Sequence, residues 1–565
     1  MKRIFGARPQ RWLLLITGGL LLGTITRTAD DYFEISKNME ILAELYQEVD
    51  RTYVDETNPT ELMRTSIDEM LASLDPYTNY YSESQIEYAK LMNSGQYSGI
   101  GAEVGLRRDR IMVLELYGGG PADQGGLRVG DELIKIDNVS VIEEGLTLDE
   151  VNSLLLGEKG STITLTVNRS GEKEPLALPL TRGGNETDRE NVPYFGMIND
   201  SIGYILLKGF TGQAAAEMRN ATATLQRDHP ALSALVLDLR GNPGGRLDQA
   251  VDICNLFIEQ GQQIVEMRGR TPDSQNKFYT RQPAWNPDMP VAVIVNGRSA
   301  SASEIVSGAI QDLDRGVVVG RRSFGKGLVQ NVRPLSYNTQ MKITIAKYYT
   351  PSGRCIQAID YANRNEDGSV GRIPDSLTTA FETQNNRTVY DGGGIDPDIE
   401  VDKPDPTPII MALEQQNLIF DFAGLYANQR DTLPGPRSFS VSDSLYRAFV
   451  AYVEDLGFDF QTTTEQQFSA VEEALKRADY PASLTGQLQG LRDKLAAQKD
   501  QDLYRFQPEI AGRLRDEIIQ RFYFQQGVIE ASFDHDPDVT AAIQVLQDQA
   551  RYRDILNVSD GEEKN

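Results

Sequence analysis

Three serines at alternate positions are the residues of this chain best suited to covalent chemistry. They lie in NGRSASASEIVSGAI, residues 296–310, directly after an apolar run and at the start of a predicted helix. A hydroxyl at a strand-to-helix turn is exposed, and the first amides of the helix can stabilise an oxyanion. Ser299 or Ser303 could instead simply cap the helix. The segment alone does not separate a nucleophile from a cap.

A serine nucleophile needs a positioned base, and histidine, the usual base, is scarce in this chain. His229 precedes an apolar run and His535 lies in the distal region, so neither has a catalytic context. Lysine is the substitute, provided that burial keeps its amine neutral. Lys326 is the candidate, because it stands in SFGKGLVQ, residues 323–330, between two glycines that let the backbone pass close to a site.

Charge and cysteine content exclude several classes of function. The formal net charge is -26, so nucleic acid or an anionic lipid surface would be repelled, and we expect neither as a partner. Cys254 and Cys355 are too few for a disulfide framework or a cysteine-based metal site. With histidine equally scarce, we predict no metal site and no organic cofactor.

A glycine-rich stretch opens a region of predicted short strands. Ser98, Gly99, Ile100 and Gly101 are followed by GGGPADQGGLRVGDELIKIDNVSV, residues 118–141. The first stretch alone would be read as a tight turn whose glycines supply positive φ. Together the two segments resemble the PDZ domains of bacterial periplasmic proteases. The resemblance implies that amides of the first stretch bind the terminal carboxylate of a peptide, which adds as a strand to the sheet edge.

Strands and helices alternate beyond residue 191. Apolar runs such as residues 235–239 and 291–295 show no polar alternation, which indicates a sheet covered on both faces. The distal region is helix-rich, and the sequence does not separate packing on the core from docking of a partner. We predict a signal peptide or signal anchor (1–29), an N-terminal helical segment (30–88), a PDZ domain (89–183), an α/β protease core (184–403) and a C-terminal helical domain (404–565).

Three motifs of the α/β region resemble one family. SASASE, FGKGLVQ and the earlier DLRGNPGG, residues 238–245, are similar to segments of the carboxyl-terminal processing peptidases, also called tail-specific proteases. The resemblance spans roughly residues 35–400 and implies a crotonase-like (ClpP-like) α/β core preceded by the PDZ domain. It also implies that Ser301 is the nucleophile, that Lys326 is the base and that Gln330 orients the lysine.

Further roles follow from the same resemblance. It implies an oxyanion hole made by backbone amides of Gly244 or Gly245 together with Ala302, and the choice between the glycines stays open. Residues 347–353 also resemble a family segment, which we interpret as scaffold lining the groove.

Gln330 carries a condition on the backbone. Four residues of extended chain span about 13 Å, too far for a hydrogen bond to Lys326, whereas a turn would bring the side chains together. We therefore expect the backbone to bend after Gly327. The alternative is a solvent-facing glutamine.

The amino terminus is typical of an exported protein. Four basic residues among the first eleven precede the uncharged run 12–26, and Asp30 and Asp31 follow. The run is shorter than the roughly 20 residues that span a bilayer, and no convincing cleavage site follows it. A cleaved signal and an anchor in the inner membrane both stay open. The periplasm or cell envelope is the expected location.

Together these features predict a serine endopeptidase with a Ser-Lys dyad. Its substrates would be envelope or periplasmic proteins and peptides whose free carboxyl tails engage the PDZ domain, which either delivers substrate or gates the site. The main alternative is a catalytically inactive PDZ scaffold, which would have no reason to keep Ser301, Lys326 and Gln330 together. An acyl-CoA-handling crotonase relative fits poorly with a PDZ domain and an export signal. A homo-oligomer or an adaptor contact through the C-terminal helices is a further expectation.

Overall fold

The computed structural model describes residues 32–86, 97–183, 190–365, 367–402, 405–478, 482–499 and 501–557. The chain divides into a small unit, Met1–Ser82 with Val332–Ile343, and a large unit, Glu83–Asn331 with Thr344–Asn565. The predicted leader and the boundaries predicted at residues 89, 184 and 404 lie outside the described residues and stay predictions. In the ranges given above, every helix is too short or too polar to cross a bilayer.

The described part of the small unit contains helices, a short strand and the ends of two strands that belong mainly to the large unit. Residues 32–52 form a helix. The next helix, α1 (Pro59–Ala72), begins after Asn58, whose side chain accepts hydrogen bonds from the first helical amides. β1 (Asn79–Tyr81) pairs antiparallel with residues 340–342.

The first part of the large unit is a small β domain. Its elements are β2 (Tyr97–Ser98), β3 (Ala102–Arg107), β4 (Arg110–Leu116), α2 (Pro121–Gln124), β5 (Glu132–Ile136), β6 (Val139–Ser140), α3 (Leu148–Leu155), β7 (Gly157–Glu158), β8 (Thr162–Asn168) and β9 (Leu176–Thr181). The sheet order is β3-β4-β5-β8-β9, with β6 beside β5. β3 is therefore an edge strand, and α3 packs against it. α3 begins with a capping box of Thr147 and Glu150.

The second part of the large unit is an α/β domain. Its elements are β10 (Tyr194–Met197), β11 (Ile202–Leu206), α4 (Ala214–Asp228), β12 (Ala234–Asp238), α5 (Leu247–Phe257), β13 (Gln263–Gly269), β14 (Asn276–Tyr279), β15 (Val291–Val295), α6 (Ala302–Asp312), β16 (Val317–Gly320), β17 (Leu328–Pro334), β18 (Gln340–Tyr349), β19 (Ile359–Arg364), β20 (Val370–Arg372), β21 (Ala380–Glu382), β22 (Thr388–Tyr390) and β23 (Ile399–Glu400). The main sheet has the order β10-β11-β12-β15-β16-β23 and is parallel except for β10. β17 and β18 continue from this domain into the small unit.

The main sheet is covered on both faces, as its unbroken apolar strands predicted. Every residue of β12 and of β15 is buried. Helices α4, α5 and α6 pack on one face in a single apolar cluster. On the other face, Val236 and Ala292 of the sheet pack against Phe533, Val539 and Tyr552 from the C-terminal region.

The C-terminal region is helical and packs on the rest of the large unit. Its helices are α7 (Pro408–Gln415), α8 (Leu418–Asn428), α9 (Asp443–Asp455), α10 (Thr463–Arg477), α11 (Ala482–Lys499), α12 (Asp502–Arg505), α13 (Gln507–Ser532), α14 (Pro537–Gln547) and α15 (Gln549–Ile555). The Tyr552 hydroxyl accepts from the Val291 amide at 3.0 Å and lies 3.2 Å from the Val291 carbonyl oxygen. Packing on the core, one of the two roles left open by the sequence, is therefore observed.

Candidate active site

Ser301 lies between the end of β15 and the start of α6. Its backbone has φ 54° and ψ -111°, a conformation that residues other than glycine rarely adopt. Strain of this kind persists only where the surrounding structure imposes it, and it is common at active sites. The turn places Ser301 at the N-terminus of α6, where free helix amides favour negative charge.

The other two serines of the motif hold neighbouring loops together. The buried Ser299 hydroxyl donates to the Leu239 carbonyl at 2.8 Å, and the buried Ser303 hydroxyl donates to the Asn242 carbonyl at 2.9 Å. Neither hydroxyl caps α6, so the capping alternative considered for Ser299 and Ser303 is wrong. Both serines instead fix the Ser301 loop to the loop that follows β12.

Glu304 joins the Ser301 loop to the Lys326 loop. Its side chain is fully buried, and its carboxylate accepts four hydrogen bonds. Oε2 accepts from the amides of Ser301 and Lys326 at 2.7 and 2.9 Å. Oε1 accepts from the Gly325 amide at 2.6 Å and from the Ser323 hydroxyl at 2.5 Å. The backbones of the predicted nucleophile and base are thus held against one carboxylate oxygen.

The charge of Glu304 is under opposing influences. Burial raises the pKa of its carboxyl, because the charged form loses its solvation, and the hydrogen bonds from its four donors work in the other direction. A protonated carboxyl would use one oxygen as a donor and could no longer accept all four bonds. With all four groups donating, the observed contacts are those of an ionised carboxylate.

Tyr348 makes a second link between the same two loops. Its hydroxyl lies 2.6 Å from the Lys326 carbonyl oxygen and 3.1 Å from the Ser301 carbonyl oxygen, within hydrogen-bond distance of both. Its ring is almost fully buried, at 1% exposure. Within residues 347–353, which the sequence indicated as scaffold, Tyr348 therefore contacts the Ser301 and Lys326 backbones directly.

Gln330 does not follow the expectation that the sequence raised. The backbone after Gly327 continues as the extended strand β17, so the predicted bend is wrong. The strand forms because residues on β17 pair with β18. The Gln330 side-chain amide donates to the Thr344 hydroxyl at 3.2 Å. Its role in orienting Lys326 stays a prediction.

The two glycines predicted for the oxyanion site have backbones that other residues would strain. Gly244 has φ 95° and Gly245 has φ 157°. A Cβ on Gly244 would lie 2.9 Å from the Ser301 Cβ and 2.8 Å from the Ala302 nitrogen. The Gly244 amide already donates to the Asn242 side chain at 2.9 Å. The loop of residues 241–245, called the glycine loop from here on, therefore passes close to Ser301 and the first amide of α6.

The predicted peptide-binding loop, Ser98 to Gly101, leads into the edge strand β3. Ser98 pairs with Gly157, and Gly101 has φ 76°, as a tight turn requires. The carbonyl of the buried Ile100 accepts from the Ala122 amide at 2.8 Å. The loop thus leads into the edge strand β3, against which the helix α3 packs.

Family models match three parts of the chain. The model of peptidase family S41 matches residues 201–363, that of the PDZ domain matches residues 112–169, and that of the probable PDZ-protease C-terminal helical domain matches residues 409–546. A carboxy-terminal-processing protease of Bartonella bacilliformis is 34% identical over 348 residues, which are 61% of this chain and 79% of that protein. The chain belongs to peptidase family S41.

Other known proteins are similar to this S41 peptidase. A probable CtpA-like serine protease of Staphylococcus aureus is 32% identical over 323 residues, which are 56% of the peptidase and 62% of that relative's length. The solved structure of a photosystem II D1 C-terminal processing protease is 25% identical with a TM-score of 0.36, covering 66% of the peptidase and 95% of that chain. The predicted family, the α/β multidomain fold class with a PDZ domain, and a serine peptidase activity are confirmed.

Sequence reasoning missed two residues that build the site of the S41 peptidase. Glu304 follows Ser301 by three residues, and this Ser-x-x-Glu spacing is a capping pattern that could have pointed to it. Tyr348 lies in the segment interpreted as scaffold, but its link to the two loops gave no signal, because its two acceptors lie 47 and 22 residues away in the chain.

Proposed function

We propose that this peptidase cleaves polypeptides with Ser301 as nucleophile and Lys326 as general base. The observation that carries the proposal is the Glu304 carboxylate, which accepts hydrogen bonds from the amides of both residues through one oxygen. A buried group that fixes two loops at once pre-organises the pair, and pre-organisation is the main contribution a protein makes to such a reaction.

The reaction follows from this placement. The Lys326 amine takes the proton of the Ser301 hydroxyl as its oxygen attacks the scissile carbonyl. The protonated amine then gives that proton to the leaving nitrogen, which leaves an acyl-enzyme ester on Ser301. Water attacks the ester, with the lysine again accepting a proton, and the lysine gives that proton to the Ser301 oxygen as the bond to the acyl carbon breaks and the new carboxyl product is released.

The oxyanion of each tetrahedral intermediate would be held by amides of Ala302 and Gly245. Ala302 is the first residue of α6, and its amide has no acceptor within the helix. Gly244 is the weaker candidate of the glycine pair, because its amide is committed to the Asn242 side chain. Gly244 would instead provide the space that the intermediate needs, since a Cβ at this position would reach the Ala302 nitrogen.

Substrate tails would bind the PDZ domain. The edge strand β3 can accept a peptide as an additional strand, and the Ser98 to Gly101 loop lies at the end where a terminal carboxylate would bind. A cavity of about 580 Å³ lies between Gly118–Gly120 of the PDZ domain and Lys208–Thr211 of the core. Lys208 also approaches Gly241, the start of the glycine loop, which supports a route from the PDZ domain towards Ser301.

We place the peptidase in the periplasm or cell envelope, on proteins or peptides of that compartment. The basic residues before the uncharged run 12–26 and the scarcity of cysteine support an exported protein. Anchoring through residues 12–26, and assembly or adaptor docking through the C-terminal helices, belong to the same proposal.

Degradation of an unstructured protein with an apolar carboxyl terminus tests the proposed chemistry, using protein that begins at Asp30. The parent should cleave it, and Ser301→Ala and Lys326→Ala should not. Ser307→Ala is the matched control, because it removes a hydroxyl of the same motif that bonds only within α6, to the Ser303 carbonyl, and it should retain cleavage. Cleavage by Ser301→Ala would contradict the assignment of the nucleophile.

The same assay with an amidated substrate tests recognition of the tail. Loss of the terminal carboxylate should slow cleavage, because the loop from Ser98 to Gly101 then has no anion to bind. Equal rates for the free and amidated tails would show that the PDZ domain does not read the carboxylate.

A further inference from the structure

Arg240 connects the glycine loop after β12 to the N-terminus of α14. Its side chain is 18% exposed and donates through Nη1 to Asp536 and Asp538 at 2.7 and 2.9 Å. Nε and Nη2 donate to Asp238 Oδ2 at 2.9 and 2.6 Å. Three carboxylates therefore surround one guanidinium, two of them contributed by the C-terminal region. In the described part of the chain, no group of acidic, cysteine or histidine side chains is arranged to hold a metal ion.

The two distal aspartates make this position of Arg240 favourable. The N-terminus of a helix carries partial positive charge, which repels a guanidinium. Asp536 offsets that charge as the N-cap of α14, where its side chain accepts from two helix amides. Without these two carboxylates only Asp238 would compensate the largely buried guanidinium, so Arg240 would move towards solvent. The position of Arg240 thus depends on Asp536 and Asp538, which follow it by 296 and 298 residues in the chain.

A shift of Arg240 would move Asn242, two residues further along the chain, which contacts the Ser301 loop. The Asn242 carbonyl accepts from the Ala300 amide at 3.0 Å and from the Ser303 hydroxyl at 2.9 Å. The Asn242 side chain holds the Gly244 amide, and a Cβ on Gly244 would already lie within 3 Å of the Ser301 loop. Clearance between the two loops is therefore small, and movement of the glycine loop changes the space in which an oxyanion would form.

We propose that Asp536 and Asp538 are positioning residues of the peptidase, which act through Arg240 to hold the glycine loop against the Ser301 loop. The inference rests on the proposed function, because it assigns the oxyanion site to that glycine loop. It makes the N-terminus of α14 a part of the catalytic apparatus.

The test uses a full-length double variant that carries both Asp536→Asn and Asp538→Asn. It is compared with the single variant Asp534→Asn. Asparagine has the shape of aspartate and is a good N-cap, so α14 should persist while Arg240 loses two charges. Asp534 pairs with Arg437 instead of Arg240, which makes its variant the matched control. In the double variant kcat should fall about tenfold with KM unchanged, within the ~100-fold that a 1 Å misplacement can cost. Asp534→Asn should keep the parent kcat.

Amide hydrogen exchange of residues 239–246 provides a readout that needs no turnover. Exchange should be faster in the double variant than in the parent and in Asp534→Asn. Should the double variant fail to fold, the single Asp536→Asn variant is measured in its place with the same expectations.

Three results separate the possibilities. Parent kcat together with parent exchange in the double variant would overturn the positioning role, and so would an equal loss of kcat in Asp534→Asn. A parent protein without peptidase activity, or activity that survives Ser301→Ala, would refute the proposed function. Faster exchange of the glycine loop in the double variant would then still support the link between α14 and that loop.

Discussion

At the scale of single residues, Glu304 and Gly244 determine how Ser301 is presented. The Glu304 carboxylate accepts a hydrogen bond from the Ser301 amide, and the Gly244 backbone passes close to the Ser301 Cβ. The first residue acts through charge and the second through the absence of a side chain. Changes at the two positions should therefore affect the reaction in different ways.

The pH dependence of kcat should carry the signature of Glu304. Burial raises the pKa of its carboxyl, so it takes up a proton at a higher pH than an ordinary glutamate, and kcat should fall as that proton binds. Stability should respond in the opposite sense. A raised pKa in the folded state means that this group stabilises the fold most at acidic pH and loses that contribution as the pH rises through the raised pKa. Parallel profiles of kcat and melting temperature test both signs.

Glu304→Gln supplies the comparison for this profile. The new side-chain amide would turn its own N–H donors towards backbone N–H donors, so kcat should drop about 100-fold. The pH profile of the residual activity should lack the titration step caused by Glu304. Glu217→Gln removes a carboxylate that bonds Asn191 and Val192, and it should keep the parent profile. An unchanged acid limb in Glu304→Gln would contradict the assignment.

Gly244→Ala should abolish most of the activity without loss of peptide binding. The new Cβ would meet the Ala300 oxygen, the Ser301 Cβ and the Ala302 nitrogen, all closer than 3 Å. We expect kcat to fall by roughly 100-fold or more, because the space of the oxyanion is filled. Steady-state kinetics and binding of a tail peptide measure the two effects.

Gly297→Ala is the matched control for this substitution. The site also lies in a loop beside Ser301, but an added Cβ would meet its nearest neighbour at 3.9 Å. Parent-like kinetics are expected for Gly297→Ala. Similar losses in both variants would attribute the effect on kcat to general loop damage.

At the scale of elements, the sequence predicted those features that are determined by residues close together in the chain. The buried strands β12 and β15, the capping box of α3 and the place of Ser301 after a strand all follow from local patterns. The bend expected after Gly327 was wrong, because pairing of β17 with β18 determines that backbone. The periodicity of a segment does not show which other strand it pairs with. The linking role of Glu304 stayed hidden for the same reason, since Lys326 is 22 residues away.

Phe420 of α8 should be necessary for the contact between the C-terminal helices and the PDZ domain. Its ring belongs to the PDZ apolar cluster and is 8% exposed, with the Arg521 and Arg107 guanidinium groups 4.6 and 5.6 Å from its centroid. Phe420→Ala should cost about 3–5 kcal/mol of stability, because it leaves a cavity and two cations without their ring. Denaturant unfolding measures the loss.

Phe195→Ala gives the control for ring removal. Phe195 is 40% exposed on β10, so its truncation should cost far less free energy of unfolding. Hydrogen exchange within the PDZ domain should rise in Phe420→Ala alone. Equal stability losses in the two variants would show that Phe420 is not an anchor.

At the scale of the molecule, the C-terminal helices complete the protease core. One face of the main sheet is covered by α4, α5 and α6, and the other face is covered from the C-terminal region by α14 and α15. Helices α14 and α15 therefore share an apolar interior with the main sheet of the peptidase core, while α7, α8, α9 and α13 pack in a cluster of their own. A charge placed in the shared interior should destabilise the sheet and these two helices together.

Val539→Asp tests this shared interior. Val539 is fully buried against the sheet, so an aspartate there should cost roughly 3 kcal/mol or more and lower the melting temperature of the sheet and of α14 and α15 together. Thr540→Asp, one residue further on the exposed side of α14, should change the melting temperature little. Separate melting of α14 and α15, with the core transition unchanged, would contradict a shared interior.

The position of the aspartates that hold Arg240 has a consequence for synthesis. Asp538 follows Arg240 by 298 residues, so the ribosome makes the glycine loop long before it makes the partners of that loop. Chains emerge at ~5–20 residues per second, which separates the two events by tens of seconds at the slower rate. Throughout that interval the sheet has one face uncovered and the Arg240 guanidinium lacks two of its carboxylates. If Asp536 and Asp538 position the glycine loop as proposed, the order of translation itself delays assembly of the cleavage site in a nascent chain of this peptidase.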